Sequence, residues 1–193
     1  MSLAPWRSPI ARALHRNRSL AYARYLQLAT VRPDGKPANR TLVFRGFLDD
    51  TNQLKFVTDD RSEKIHQIES CPWGEACWYF EKTREQFRLS GLLTLIGDNH
   101  PRDRFRDARK EQWQELSDAS RLQFVWPHPG QPRKHDESFD IDPPESNAPP
   151  PNFCLLLLEP INVDQLELRG DPQNRWIYIR DDQLNWSTKE VNP

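Results

Sequence analysis

The sequence predicts a mainly β protein, an antiparallel β-barrel with peripheral helices. At least six short segments combine β-branched and aromatic residues with alternating polarity, and turn clusters connect them in the manner of hairpins. Strands and helices do not alternate in a βαβ rhythm, which argues against a parallel sheet. We expect residues 1–193 to form a single domain, interrupted by one Pro-rich loop at about 127–152.

The composition and the net charge argue against two classes of function, nucleic-acid binding and membrane insertion. Hydrophobic residues make up 36% of the chain and the mean hydropathy is −0.85, so we expect a partner chain or a cofactor to complete the core. A net charge of −1 provides no basic field for nucleic acid. The longest aliphatic run, Leu155 to Leu158, is too short to span a bilayer, and no charged segment precedes an apolar stretch at the N-terminus. We expect a cytoplasmic protein without a membrane partner.

The first elements are a helix and a hairpin. Trp6 to Arg18 reads as a helix in which Ser8 is the N-cap and Pro9 the first helical residue. A weakly alternating strand from Tyr22 to Arg32 then ends at the turn Pro33-Asp34-Gly35-Lys36.

The stretch from Arg40 to Lys64 predicts an anion site. A strand from Arg40 to Phe47, a turn at 49–52 and a return strand from Gln53 to Thr58 lead into a helix that starts at Ser62. With Ser62 as the N-cap, free N–H groups would lie beside Arg61 and Lys64, so we interpret the segment as a phosphate site for a bound cofactor. Strict alternation places Arg40 and Arg45 on opposite faces, so they are either solvent residues or are brought together by a bulge.

The middle of the chain predicts a hairpin with one polar face. Strands Glu75 to Glu81 and Glu85 to Ile96 flank a turn. In the second strand Gln86, Arg88 and Ser90 share a face that is polar enough to line a site. The amide of Gln86 is suited to reading the edge of a heterocycle.

The C-terminal half returns to the sheet after helices and a loop. Pro101 to Leu116 is a charged helix with a solvated face, not a nucleic-acid surface. Eight of the chain's 17 prolines lie in the loop at 127–152, for which we favour disorder over a functional role. The remaining predictions are a short helix at 117–125 and strands at 153–159, 161–168, 175–180 and 183–187.

No sequence motif identifies a catalytic residue. Nucleophile elbows, Walker loops and Gly-x-Gly-x-x-Gly are absent, and the five histidines are scattered. Cys71, Cys77 and Cys154 lack metal-ligand spacing, so no metal is predicted. Anion-binding and stacking residues without an acid–base pair fit a protein whose cofactor carries the chemistry.

Three segments resemble the pyridoxamine 5'-phosphate oxidase-like FMN-binding split barrels. The hairpin at 28–46 is similar to that family's strand pair ending in Arg-x-x-x-x-Lys-Gly. Residues 56–64 (FVTDDRSEK) resemble its phosphate segment Phe-Tyr-Thr-Asn-x-x-Ser-Arg-Lys, and residues 85–91 (EQFRLSG) its Arg-Gln-Val-Arg-Val-x-Gly strand. The resemblance extends over most of the chain and leaves the Pro-rich loop as an insertion.

This resemblance implies a homodimer with FMN at the subunit interface. It places Arg40, Thr58, Ser62 and Lys64 at the FMN phosphate and Gln86 at the isoalloxazine edge. The further cofactor-binding residues that it implies are Leu42, Arg45, Arg61, Gln123 and Trp126. Arg175 is the residue it implies for binding a substrate.

The departures from the family leave three functions open. Glu63 replaces a phosphate-binding arginine, Val57 a tyrosine and Leu168 a tryptophan, and the histidine and second arginine of the family's substrate motif are missing. We therefore expect an FMN-dependent oxidoreductase acting with an unknown small-molecule substrate or electron donor. The alternatives are a genuine pyridoxamine or pyridoxine 5'-phosphate oxidase and a non-enzymatic flavin- or haem-binding stress protein.

Overall fold

Antiparallel strands dominate the computed structural model, which describes residues 3–193. The strands are β1 (Tyr25–Val31), β2 (Pro37–Val43), β3 (Leu54–Asp59), β4 (Trp73–Phe80), β5 (Glu85–Ile96), β6 (Phe153–Glu167), β7 (Asn174–Arg180) and β8 (Trp186–Val191). The helices are α1 (Arg7–Asn17), α2 (Lys64–Ser70), α3 (Asp103–Gln114) and α4 (Asp118–Leu122), with short 3₁₀ turns at Ala21–Arg24 and Asp136–Phe139.

All the strands belong to one eight-stranded sheet with the order β2-β1-β4-β5-β6-β7-β8, and β3 pairs with β6 outside this path. The first half of β6 lies between β3 and the end of β5, whereas its second half lies between the start of β5 and β7. The chain after β2 then closes the barrel onto β3. The backbone N–H of Arg45 donates to the carbonyl of Lys55 (2.9 Å), whose own N–H donates to the carbonyl of Gly46 (2.8 Å). The predicted antiparallel barrel with peripheral helices is confirmed.

The barrel interior is filled by alternate residues of the strands, as the pleat requires. Along β5, Phe87 and Leu89 are fully buried while Gln86, Arg88 and Ser90 lie on the opposite, outer face, as the sequence predicts. The Trp78 ring packs between Phe44 and Phe80 at centroid distances of 4.8 and 4.9 Å. Its indole N–H donates to the carbonyl of Ala23 (2.9 Å), so this large buried ring leaves no unpaired donor.

Three local predictions were wrong in detail. Helix α1 begins at Arg7 with Trp6 at the N-cap, so Ser8 is not the cap. The predicted strand from Arg40 to Phe47 ends as regular strand at Val43 and pairs with β1, so only the chain at 45–48 pairs with the return segment at 53–55, while β3 itself pairs with β6. The two strands predicted around Pro160 are one continuous strand, β6, whose register against β5 shifts between Ser90 and Gly91. A bulge at that point accommodates the proline, which has no N–H to donate.

The Pro-rich loop at 127–152 contains no strand, as expected. Its first half lies against a cavity of about 730 Å³, and its second half contacts α3. There the indole N–H of Trp113 donates to the carbonyl of Glu145 (2.9 Å), and Arg109 donates to the carbonyl of Pro150 (2.8 Å). Of the helices within 3–193, none is both long enough and apolar enough to cross a membrane.

Candidate functional site

A cavity of about 730 Å³, here called the main cavity, opens between β3 and the start of the Pro-rich loop. Strand β3 and the turn after it form one wall, and the chain from 120 to 139 forms the other. The predicted site residues that line it are Arg45, Thr58, Arg61, Ser62, Lys64, Gln123 and Trp126.

Lys64 is the centre of a hydroxyl-lined cation site at the cavity wall. Its Nζ donates to Thr58 Oγ1 (3.0 Å) and to Ser62 Oγ (2.8 Å). Burial lowers the pKa of Lys64, the neighbouring charge of Arg40 lowers it further, and Asp59 acts in the opposite direction. A half-buried ammonium with only neutral hydroxyl ligands is stabilised by an anion, and a phosphate carries both the charge and the acceptors that it needs.

Ser62 is not the N-cap of α2, contrary to the prediction. The cap residue is Glu63 and makes no side-chain capping bond, while Ser62 Oγ donates to the carbonyl of Asp59 (2.7 Å). This bond holds the hydroxyl within reach of Lys64 Nζ. Ser62 therefore belongs to the cation site through its side chain.

Arg40 lies next to this cluster and lines an adjoining cavity of about 310 Å³, of which Lys64 is also a lining residue. Its guanidinium donates to the carbonyl of Leu28 (3.1 Å), to Thr30 Oγ1 (2.6 Å) and to Gln67 Oε1 (2.9 Å). These neutral acceptors fix the side chain and leave its positive charge uncompensated. Glu63, the residue of opposite charge nearby, pairs instead with Arg32 (3.6 Å).

Arg45 and Trp126 line the main cavity, and each carries one unpaired buried donor. Arg45 Nε and Trp126 Nε1 are buried and have no hydrogen-bond partner within residues 3–193. Buried donors in proteins are nearly always paired, so these two atoms indicate a missing acceptor group. Arg45 reaches the cavity because the chain after β2 leaves β1 and pairs with β3 near Gly46, whose φ is +111°.

Comparison with known proteins identifies the family. The family described as pyridoxamine 5'-phosphate oxidase, FMN-binding domain, matches residues 3–97. The pyridoxine/pyridoxamine 5'-phosphate oxidase 2 of Arabidopsis thaliana is 38% identical over 196 residues, which cover 99% of this chain and 98% of that protein. The chain belongs to the pyridoxamine 5'-phosphate oxidase-like FMN-binding split-barrel family.

Solved structures agree with this assignment. A pyridoxamine 5'-phosphate oxidase-related, FMN-binding protein of Nostoc punctiforme PCC 73102 is 64% identical, with a TM-score of 0.97 and 100% of both chains covered. PhzG of Burkholderia lata 383, solved with tetrahydrophenazine-1-carboxylic acid, has a TM-score of 0.79 over 96% of this chain and 91% of that one. At 21% identity the second comparison shows the common fold alone.

FMN is the cofactor of this family, and the residues of the main cavity fit it. Lys64, Thr58 and Ser62 provide a cation and two hydroxyls, and phosphate oxygens accept hydrogen bonds from both kinds of group. The unpaired donors of Arg45 and Trp126 are suited to the carbonyl oxygens and ring nitrogens of a flavin. The two residues with orphaned donors and the Lys64 cation site thus line the same cavity, as a phosphorylated heterocycle requires.

Arg61 lines the cavity but is committed to protein contacts. Its Nε and Nη2 form a forked pair with the carboxylate of Asp59 (2.9 and 2.6 Å). Its Nη1 and Nη2 also donate to the carbonyls of Trp126 and Phe124, each at 3.1 Å. Arg61 is therefore not a free substitute for the arginine that Glu63 replaces.

Three predicted site residues lie away from the main cavity. Leu42 packs against the barrel core, and Gln86 lies on the outer face of β5, where Cys77 Sγ contacts its Oε1 (3.8 Å). Arg175 lines a separate cavity of about 230 Å³. Its guanidinium forms a forked pair with Asp164 (3.1 and 2.7 Å), and Arg88 binds the same carboxylate.

Sequence reasoning missed part of the lining. The residues it did not single out include Tyr25, Val43, Asp59, Phe124, His128, Arg133, Lys134 and Phe139. Four of these belong to the Pro-rich loop at 127–152, which the resemblance sets aside as an insertion. The basic and aromatic residues of that loop, His128, Arg133, Lys134 and Phe139, were the available signal.

The pKa of Lys64 predicts the direction of a pH effect on the protein without FMN. The pKa of Lys64 in the folded protein is lower than its ordinary value of 10.5, which applies to the unfolded chain. At a pH between the folded and the unfolded pKa, the unfolded chain binds more protons, so the stability of the fold rises with pH. We expect the melting temperature of the FMN-free wild type, relative to that of FMN-free Lys64→Met, to rise from pH 7.5 towards pH 10. With FMN bound, this difference in melting temperature should depend less on pH, because the phosphate stabilises the charged form of the lysine. A constant or falling difference in FMN-free protein would contradict the assignment.

Proposed function

We propose that the chain is an FMN-dependent oxidoreductase that acts as a homodimer, with FMN at the subunit interface. The observation that carries the proposal is the main cavity, whose lining combines the Lys64 cation site with Arg45 and Trp126, two residues that each carry an unpaired buried donor. When bound, FMN supplies hydride or electron transfer. The chain's own residues hold the phosphate, orient the ring and limit access to it.

The proposed roles follow the contacts. Lys64, Thr58, Ser62 and Arg40 hold the ribityl phosphate, since they form a cluster of two cations and two hydroxyls. Arg45 and Trp126 donate to the flavin ring. Each of these N–H groups has no protein acceptor, and a hydrogen bond from it must lie along the N–H bond. The two groups together would therefore favour one orientation of the polar edge of the ring.

The proposed dimer is supported by the outer face of the sheet. Tyr25, Tyr79 and Ile179 expose 47%, 46% and 48% of their surfaces on β1, β4 and β7. Large apolar residues on one face of a sheet are typical of an interface. Gln86 is the cross-strand partner of Tyr79, so this surface would also carry Gln86 to the site of a second copy, which explains its absence from the main cavity of its own chain.

The decisive experiment is flavin reduction in the purified protein. We expect protein that absorbs in the flavin bands as purified or after FMN titration, and whose bound FMN is bleached by NADH or NADPH without oxygen. Protein that takes up no FMN would refute the assignment of the cavity. Protein that binds FMN but transfers no electrons from either donor, or from a panel of small reductants, would identify a binding protein instead of an enzyme.

A second candidate function is oxidation of pyridoxamine or pyridoxine 5'-phosphate. It is favoured by 38% identity to the Arabidopsis protein of that name along almost the whole chain. Against it, Arg175 is occupied by Asp164 and is therefore not free for a substrate phosphate. In the same experiment we expect no peroxide when pyridoxamine 5'-phosphate is added to FMN-loaded protein in air, and release of peroxide would establish the second candidate.

A further inference from the structure

Both ends of the Pro-rich loop meet at one pair of charged residues beside the phosphate site. Arg61 donates to the carbonyls of Phe124 and Trp126, just before the loop begins. Asn152, its last residue, donates through Nδ2 to Asp59 Oδ2 (2.9 Å) and to the carbonyl of Phe124 (2.9 Å). We call Asp59, Arg61 and Asn152 the loop clasp.

The clasp is connected to β3 through backbone as well as side chains. The backbone N–H of Asp60 donates to the carbonyl of Asn152 (2.9 Å), and the N–H of Arg61 donates to Asp59 Oδ1 (2.9 Å). The side chains of Arg61 and Asp59 are 26% and 16% exposed, so solvent screens their ion pair only in part. Burial alone would raise the pKa of Asp59, but hydrogen bonds from Arg61 and Asn152 lower it overall.

The loop segment that the clasp holds forms one wall of the main cavity. His128, Arg133 and Phe139 line the cavity, and the Phe139 ring packs edge-on against Trp126 at 5.8 Å. The Arg133 guanidinium lies over the same Phe139 ring at 4.5 Å. The position of Trp126, which lines the cavity, thus depends on where the clasp places its backbone carbonyl.

We propose that Asp59 and Arg61 are positioning residues that hold the loop at 127–152 as a cover over the FMN cavity. They lie between Thr58 and Ser62, so the segment that binds the phosphate also fixes the cover. Four of the five guanidinium N–H groups of Arg61 donate to Asp59 and to the carbonyls of Phe124 and Trp126, and Asn152 donates to Asp59, so the polar atoms of the pair are used mainly on the chain at the two ends of the loop. The clasp therefore acts on flavin through the loop and not through contact with the phosphate.

Comparing FMN with riboflavin separates these two roles, because riboflavin lacks the phosphate. We expect Arg61→Ala and Asn152→Ala each to weaken binding of both flavins by the same factor, about tenfold, as expected for loss of hydrogen bonds to a charged group. Binding is measured by quenching of flavin fluorescence. The matched control is Asn147→Ala, an exposed asparagine in the same loop, which should match wild type. A selective loss of FMN affinity in Arg61→Ala, with Asn152→Ala unchanged, would show that Arg61 binds phosphate directly and would overturn the proposal.

Limited proteolysis tests the cover without any flavin. Trypsin cuts after Arg133 and Lys134, two exposed residues whose backbone must leave its position at the cavity wall to enter a protease. When opening is fast relative to cleavage, the cleavage rate follows the opening equilibrium, so we expect Asn152→Ala, Arg61→Ala and Arg61→Lys to be cut there about tenfold faster than wild type. Arg61→Lys keeps the charge but lacks the fork. Cleavage at the wild-type rate in all three variants would refute the cover.

These measurements do not require the protein to be an enzyme. If bound FMN accepted no electrons, the proposed oxidoreductase function would be refuted, but the affinity and proteolysis measurements on the clasp would still be valid. Conversely, an oxidoreductase whose loop opens equally in wild type and Asn152→Ala would lack the clasp. The melting temperature of each variant, measured in parallel, distinguishes local opening from unfolding of the barrel.

Discussion

Replacing Lys64 by methionine is expected to weaken FMN binding roughly 10- to 150-fold, which corresponds to about 1.5–3 kcal/mol for a hydrogen-bonded charge. Lys64 is a half-buried cation that donates to Thr58 Oγ1 and Ser62 Oγ, and the two hydroxyls cannot neutralise a phosphate by themselves. Methionine retains the apolar stem and removes only the ammonium, so the barrel should remain folded. Riboflavin binding should change little, because the lost contact is with the phosphate.

The measurement is a fluorescence titration of flavin-free protein with FMN and with riboflavin. Lys110→Met is the matched control, since Lys110 is exposed on α3 and does not line the main cavity. An equal loss of affinity for both flavins would place Lys64 at the ring instead of the phosphate. Unchanged affinity for FMN would remove Lys64 from the site altogether.

Gly91→Ala is expected to destabilise the barrel by about 3 kcal/mol or more, since overpacking against backbone cannot relax by a rotamer change. A Cβ at Gly91 would lie 1.9 Å from the carbonyl oxygen of Glu159 and 2.8 Å from the Cα of Pro160. Gly91 is located where the β5–β6 register shifts, in the strand pair that connects the two halves of the sheet. For a chain of this length the expected fall in melting temperature is roughly 6–12 °C.

Gly97→Ala provides the control, because a Cβ there meets no atom within 4 Å. Its expected change in the free energy of unfolding is within about 0.5 kcal/mol, as for other surface substitutions. Thermal and urea unfolding of both variants measure the difference. Equal stability of Gly91→Ala and wild type would mean that the β5–β6 bulge adjusts freely, whereas failure of that variant alone to accumulate as folded protein would agree with the prediction.

Elements with strong local signals could be predicted from the sequence. Strand β5 spans Glu85–Ile96 as predicted, because its alternation is regular and a turn precedes it. The turn at 33–36 forms as predicted, with Gly35 at a φ of +80° and its N–H donating to the carbonyl of Arg32 (2.8 Å). In both cases the information lies within a few neighbouring residues.

Predictions that depended on local capping or on sequence neighbours were less successful. Ser8 and Ser62 have the residue type of an N-cap, but their helices begin elsewhere. The hydroxyl of Ser62 is used by Asp59 and Lys64, which compete with the backbone donors of α2. Pairing of β3 with β6 joins segments about a hundred positions apart, and no local pattern specifies such a partner.

The sequence by itself determined the barrel class, the family resemblance and the cation, hydroxyl and arginine content of the stretch from Arg40 to Lys64. Those features follow from residue type and short-range periodicity. Only the tertiary structure showed that Arg61 forms its hydrogen bonds within the loop clasp, that Arg175 pairs with Asp164, and that the Pro-rich loop forms a wall of the main cavity. The physical reason is that a charged side chain binds whichever partner folding brings within hydrogen-bond distance, and for Arg61 and Asn152 those partners lie 65 and 93 positions away.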